Sequence, residues 1–124
     1  MKIFKVKQFS QWAKGERLED EALTLASAEI EKGMVDASLG GCVYKKRIPL
    51  TGRGKRGGAR TIVAFRQGDN AFFVYGFAKN KRANISAKEL KALKLLASKL
   101  LNLDGNALRK AIQANELIEV INNE

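Results

Sequence analysis

Histidine is absent from this 124-residue chain, and proline, tryptophan and cysteine occur once each. Without histidine, a general acid or base working near neutral pH has to be a carboxylate, the thiol, or a lysine or tyrosine with a shifted pKa. His-based triads and the usual zinc sites are thereby excluded. The lone Cys42 excludes an internal disulfide and a cysteine-built metal site, and it suits a reducing compartment, so a cytoplasmic location is expected. Long apolar runs are also missing. Residues Met1 to Lys7 alternate charged and apolar, and no stretch approaches the ~7–15 apolar residues of a signal-peptide core or the ~18 of a membrane span. Neither export nor membrane insertion is expected.

Acidic residues are scarce in one block. Residues 43 to 82 hold eleven Lys and Arg against a single acid, Asp69, so this third of the chain carries the whole net charge of +10 and the remainder is neutral. A basic excess confined to a contiguous block implies a surface built to meet phosphates or another dense anion. Hydrophobic content of 45% and charged content of 29% are ordinary for a globular protein. The length predicts a single domain over residues 1–124 that buries roughly two thirds of the surface its unfolded chain exposes.

The pattern predicts a strand over 2–6 and a helix from about Phe9 with Ser10 as N-cap. A second helix is predicted from Leu18 to Lys32, acidic at its start, basic at its end and closed by Gly33. Strands follow at about Gly41–Ile48, Arg60–Arg66 and Ala71–Ala78, the last two joined by the turn Gln67-Gly68-Asp69-Asn70. Alternation puts Lys45 and Arg47 on one face of their strand, Arg60 and Arg66 on one face of the next, and Phe73, Tyr75 and Phe77 together on the third. Residues 51–58, with four glycines and Arg53, Lys55 and Arg56, predict a flexible basic loop. Ser86-Ala87-Lys88-Glu89 is a capping box, flanked by a hydrophobic staple of Ile85 and Leu90, and it starts a helix running to about Leu103. A short helix over Asn106–Ala114 and an apolar segment, Leu117–Ile121, complete the chain. The order argues for an α+β fold, with helices against one face of a mostly antiparallel sheet and the other face free.

Such a free face suits a polyanion. Lys and Arg supply salt-sensitive phosphate contacts, and Tyr44, Tyr75 or Phe77 can stack on unpaired bases where exposed. RNA carries its own nucleophile in the 2′-hydroxyl. Cleavage therefore needs in-line positioning, charge stabilisation at phosphorus and proton shuttling, for which clustered cations and Lys45 or Lys46 are candidates.

The segments Val43 to Leu50, Gly58 to Arg66 and Phe73 to Asn80, followed by the capped helix at Glu89-Leu90-Lys91, together resemble the RelE-type toxins of bacterial toxin–antitoxin systems, within the RelE/ParE superfamily. The resemblance implies an antiparallel sheet, mixed at the N-terminal strand, packed with N-terminal and C-terminal helices. It implies an endoribonuclease that cuts mRNA in the ribosomal A site with basic residues and without metal or other cofactor. It also implies a cognate antitoxin, often of helix-turn-helix type. Residue by residue, Lys45 and Arg47 match the family's alternating basic pair, Arg60 matches the arginine that holds the scissile phosphate, and Lys79 matches the first residue of a basic pair ending the last strand. Asn80 stands where the family usually has its transition-state arginine, and the C-terminal helix carries no evident base-stacking tyrosine, for which Tyr75 is a substitute from the sheet. The candidate catalytic set is therefore Lys45, Arg47, Arg60 and Lys79. Lys46, Arg53, Lys55, Arg56, Arg66, Tyr75, Asn80, Lys81 and Arg82 are RNA-binding candidates. A ParE-like gyrase inhibitor and a non-catalytic nucleic-acid-binding module are the alternative readings.

Overall fold

The central strands are apolar on both faces, which demands cover on both sides. In the protein's computed structural model, which describes residues 1–50 and 58–121, two helical layers supply it. The elements run β1 (Ile3–Val6), α1 (Lys7–Gly15), α2 (Asp20–Glu31), β2 (Ala37–Gly40), β3 (Val43–Ile48), β4 (Ala59–Phe65), β5 (Ala71–Ala78), α3 (Ala87–Leu101), α4 (Gly105–Gln113) and β6 (Leu117–Glu119). Among the described residues the strands form one six-stranded sheet in the order β2-β3-β4-β5-β1-β6. Only the β1–β5 pairing is parallel. The α+β class and the sheet with its inserted N-terminal strand are as the sequence leads one to expect.

The expected one-sided layering is not what forms. Ile3, Phe9, Leu23, Ile30, Val63 and Phe73 bury under α1 and α2, while Phe4, Val43, Ile62, Phe72, Val74 and Leu100 bury on the α3–α4 side. The burial of each such large side chain is worth roughly 1.5–3 kcal/mol, so leaving either face bare would forfeit a large part of the core. Within α2 the buried stripe is Leu23, Ala26 and Ile30, whereas Leu25 points to solvent.

Local chemistry explains the other shifts. Helix α1 starts at Lys7, whose N–H donates to the Glu116 carbonyl at 3.1 Å. One orphan donor of the first turn is thus satisfied by the neighbouring chain, and Ser10 lies buried inside the helix with no capping role. Helix α2 closes as expected at Gly33 (φ +83°): Gly33 N–H donates to Ile30 O and Met34 N–H to Glu29 O, the paired bonds of a Schellman motif. Strand β3 begins only at Val43, because Gly40, Gly41 and Cys42 all take left-handed backbone angles and form the β2–β3 turn. The loop expected over 51–58 lies, but for Gly58, outside the described residues.

Two buried lysines fasten α2 to the sheet. Lys5 Nζ pairs with Asp20 at 2.7 Å, and Lys46 Nζ pairs with Glu29 at 3.1 Å while donating to the Met34 carbonyl at 2.8 Å. Lys46 thus ties down the C-terminal end of α2 from the middle of β3.

Strand β5 contains the irregularity that decides its facing. Ile62 pairs with Tyr75 and Val63 with Phe73, which leaves Val74 as an extra residue in a bulge. Phe73 consequently packs in the α1–α2 core, whereas Val74 and Tyr75 both turn to the α3 side. The expectation that Phe73 and Tyr75 share a face is corrected by this bulge. Gly76 lies against Trp12, with a Cβ there predicted only 2.2 Å from Trp12 Cζ3. Gly76→Ala is therefore expected to lower unfolding stability by about 1–3 kcal/mol and to shift the emission of Trp12, the sole tryptophan. Denaturation followed by fluorescence checks this; an unchanged midpoint and spectrum would contradict it.

Candidate nucleic-acid interface

The β3–β4–β5 ladder sets side chains in rows across the α3 face. Arg47 pairs with Arg60 and Arg60 with Phe77; one row inward, Lys45 pairs with Ile62 and Ile62 with Tyr75. Further in, Val43, Ala64 and Phe72 complete the next row under α3. Cations thus occupy the outer rows of β3 and β4, beside the buried Ile62 and Phe77. Arg47 is exposed, and Arg60 and Lys45 are half-buried.

Like charges directly opposite on neighbouring strands repel. Among the described residues no carboxylate forms an ion pair with Arg47, Arg60 or Lys45. Arg47 is held only through its backbone N–H, which donates to the Asp36 carboxylate. Cations dominate this edge, a condition that draws in an anion.

A second group of residues borders the rows. The chain leaves β5 through an exposed turn at Lys79, Asn80 and Lys81, and Arg82 then folds back over Phe77, its guanidinium carbon 5.6 Å from the ring centroid. Arg82 is clamped by Glu89 through bonds of 2.5 and 3.0 Å, donates to the Tyr75 hydroxyl at 3.0 Å, and reaches the Asn84 carbonyl through Nε at 3.0 Å. The Tyr75 hydroxyl donates to Glu89 at 3.3 Å. Asn84 Oδ1 accepts from Lys45 Nζ at 3.1 Å and from the Ile85 N–H at 2.9 Å. The capping box at Ser86 forms as its sequence predicts, with both reciprocal bonds present. The Arg82 bonds, then the Ser86 backbone N–H, hold the Glu89 carboxyl down at about 2 from an ordinary 4.5. The same contact with Glu89 pushes the Arg82 guanidinium above its ordinary value.

The candidate residues therefore divide. Lys45, Arg47 and Arg60 come together, and Tyr75, Arg82 and the turn at Lys79, Asn80 and Lys81 border them. Lys46 lies on the opposite face, buried and engaged with α2. Arg66 is on the α3 side but at the other end of β4, roughly 20 Å from Arg60 at about 3.3 Å per residue, where it binds Asp69 at 2.7 Å and the Leu101 carbonyl. Arg53, Lys55 and Arg56 lie outside the described residues. Asn84 carries no signal in the sequence, and Glu89 shows there only as a member of the capping box. An apolar cavity of about 480 Å³ between α3 and the sheet, lined by Val6, Val74, Leu93, Leu96, Leu100 and Leu117, meets the site only at Tyr75 and has the wrong chemistry for a polyanion.

The whole of this arrangement lies in a region that matches a known family: residues 1–120 fit the RelE toxin of the RelE/RelB toxin–antitoxin system. The chain belongs to the RelE toxin family. A comparison with curated proteins found no match. As a RelE-family toxin it is one half of a toxin–antitoxin pair, and the family implies an antitoxin as its partner. Among the described residues no helix is long and apolar enough to cross a membrane, and no three His, Cys, Asp or Glu side chains gather as metal ligands.

The Glu89 pKa fixes the sign of an acid effect. A carboxylate depressed in the folded state contributes stability that is fully present above its unfolded value near 4.5 and is lost as pH falls through about 2. Carbon-detected NMR of Glu89 is expected to show a midpoint near 2, with the wild type losing more stability than Glu89→Gln between pH 4.5 and 2. A midpoint near 4.5 would contradict the clamp.

Proposed function

We propose that this RelE-family toxin is an endoribonuclease that cuts mRNA at the ribosome without a metal ion. The observation carrying the reading is the row of Arg47 against Arg60, neither in an ion pair among the described residues, with Lys45 one row inward, at the end of the sheet beyond the start of α3. Arg47 and Arg60 grip the phosphates flanking and including the scissile one. In the reaction the 2′-oxygen attacks phosphorus, the P–O5′ bond breaks, and a 2′,3′-cyclic phosphate and a 5′-hydroxyl result. Two cations stabilise the charge that builds on the pentacoordinate phosphorus. Lys45, its Nζ held by Asn84 on the same face, donates a proton to the departing 5′-oxygen, while the 2′-hydroxyl proton passes to water.

Lys79, with Asn80 and Lys81 beside it, extends the cationic edge along the exposed turn, and the half-buried Tyr75 borders the rows, whereas Phe77 is buried under Arg82 and offers no ring to a base. Lys46 and Arg66 take no part in this reading, since one is spent on α2 and the other stands at the far end of β4. Arg53, Lys55 and Arg56 stay candidates for backbone contacts by charge alone.

Induced expression of the wild type is expected to arrest growth with cuts at codon-specific positions in ribosome-bound mRNA, undiminished in extracts treated with a chelator at constant ribosome integrity. Arg60→Ala and Lys45→Ala are each expected to lower the cleavage rate by about 10²-fold or more. Growth arrest with intact mRNA and broken DNA would overturn the reading in favour of gyrase inhibition, and RNA binding without cleavage would leave only a binding module.

A further inference from the structure

Asn84 and Glu89 carry no positive charge, yet most of the polar contacts that bind the cation face together run through them. Arg82 has five N–H donors. One goes from Nε to the Asn84 carbonyl, two from one terminal nitrogen to Tyr75 and Glu89, and one from the other to Glu89, leaving a single N–H free. Its charge is matched by Glu89 at 2.5 Å. Arg82 thus differs from Arg47 and Arg60: it is a strut, with little left to offer a phosphate. The strut fixes the backbone of Asn84, and the Asn84 side chain in turn holds Lys45 Nζ, 39 residues away in sequence. The other arm of Glu89 receives the Tyr75 hydroxyl.

We propose that Glu89 is a positioning residue of the cation face: by clamping Arg82 it sets Asn84, and through Asn84 the amine of Lys45, while also fixing the ring of Tyr75. The inference rests on the RNA-cleavage reading, in which Lys45 transfers the proton. Glu89 touches neither RNA nor the reacting atoms and acts only through its neighbours. Its other duty, the capping box with Ser86, is a purely structural one and can be removed separately. Ser86→Ala deletes the hydroxyl that accepts the Glu89 N–H but leaves the Ser86 backbone N–H and the Glu89–Arg82 clamp.

Five full-length proteins decide the matter: the wild type, Ser86→Ala, Arg82→Ala, Glu89→Ala and the double variant Arg82→Ala/Glu89→Ala. Each is assayed for kcat and KM on ribosome-bound mRNA and for the Lys45 ammonium signal by nitrogen-resolved NMR. Glu89→Ala is expected to lower kcat about 10- to 100-fold, the scale of a small misplacement of a reacting group, with KM within about threefold because Arg47 and Arg60 are untouched. Its Lys45 signal is expected to broaden or vanish. Ser86→Ala is expected to keep the signal and to change kcat by less than about threefold, although its melting temperature falls. The double variant is expected to be no worse than the poorer single variant by more than about threefold, since the two residues act as one unit. Equal kcat and equal Lys45 signals in Ser86→Ala and Glu89→Ala would overturn the proposal and reduce Glu89 to a helix cap. Intact mRNA with the wild type would overturn the cleavage reading alone, and the Lys45 signal would then decide the positioning role by itself.

Discussion

The register of β3, β4 and β5 is the constraint on which the rest of the molecule depends. Side chains alternate along a strand, so a slip by one residue would send Lys45, Arg47 and Arg60 into the α1–α2 core and bring Lys46 and Thr61 to the surface. The register is secured by apolar residues on both faces and by the Thr61 hydroxyl, which donates to the Lys46 carbonyl at 2.8 Å. The bulge at Val74 resets the parity of β5 inside that ladder, and it brings Tyr75 and Phe77 to the face of the cations. That arrangement sets two arginines directly opposite each other, an unfavourable pairing that the buried rows beneath it can carry.

One strand thereby serves two purposes. In β3 the inward Lys46 is neutralised by Glu29 and capped onto Met34, whereas the outward Lys45 and Arg47 have no ion-pair partner among the described residues. Removing one partner of a buried pair is costly because the other charge is stranded, so Lys46 and Lys5 act as fasteners for α2 and are unavailable to a ligand. Arg82 occupies a middle position, charged and partly exposed yet committed to Glu89. Similar side chains in one basic block therefore play three physical roles, and geometry, not composition, sorts them.

Much of this was legible in the chain. The β4–β5 hairpin and the capping box at Ser86 carry strong local signals, and Gly33 marks the end of α2. The confinement of the +10 charge to residues 43–82 marks the third of the chain that carries Lys45, Arg47 and Arg60. Other features depend on contacts distant in sequence. β2 is four residues containing serine and glycine, with no periodicity of its own, and it exists because Ala37 and Ser38 find partners on β3. β6 is shorter still, with three residues, and is a strand because β1 offers it an edge. Alternation sets Lys46 opposite in facing to Lys45 and Arg47, but that its face is the covered one, which removes it from the RNA-binding candidates, follows only from the packing of α2. Glu89 was recognised as a cap, and its bond to Arg82 required the turn after β5 to fold back.

The central claim is that the open row of Arg47 and Arg60 is where RNA phosphates bind. The most direct test is the salt dependence of affinity for a single-stranded RNA analogue with 2′-deoxy sugars, which cannot be cleaved by 2′-oxygen attack. Each phosphate contact contributes about 0.7 to the slope of log affinity against log salt. The double variant Arg47→Ala/Arg60→Ala is predicted to lower the slope by about 1.4 relative to the wild type while melting at a similar or higher temperature, because a repulsive pair is relieved. An unchanged slope in a folded double variant would contradict the account.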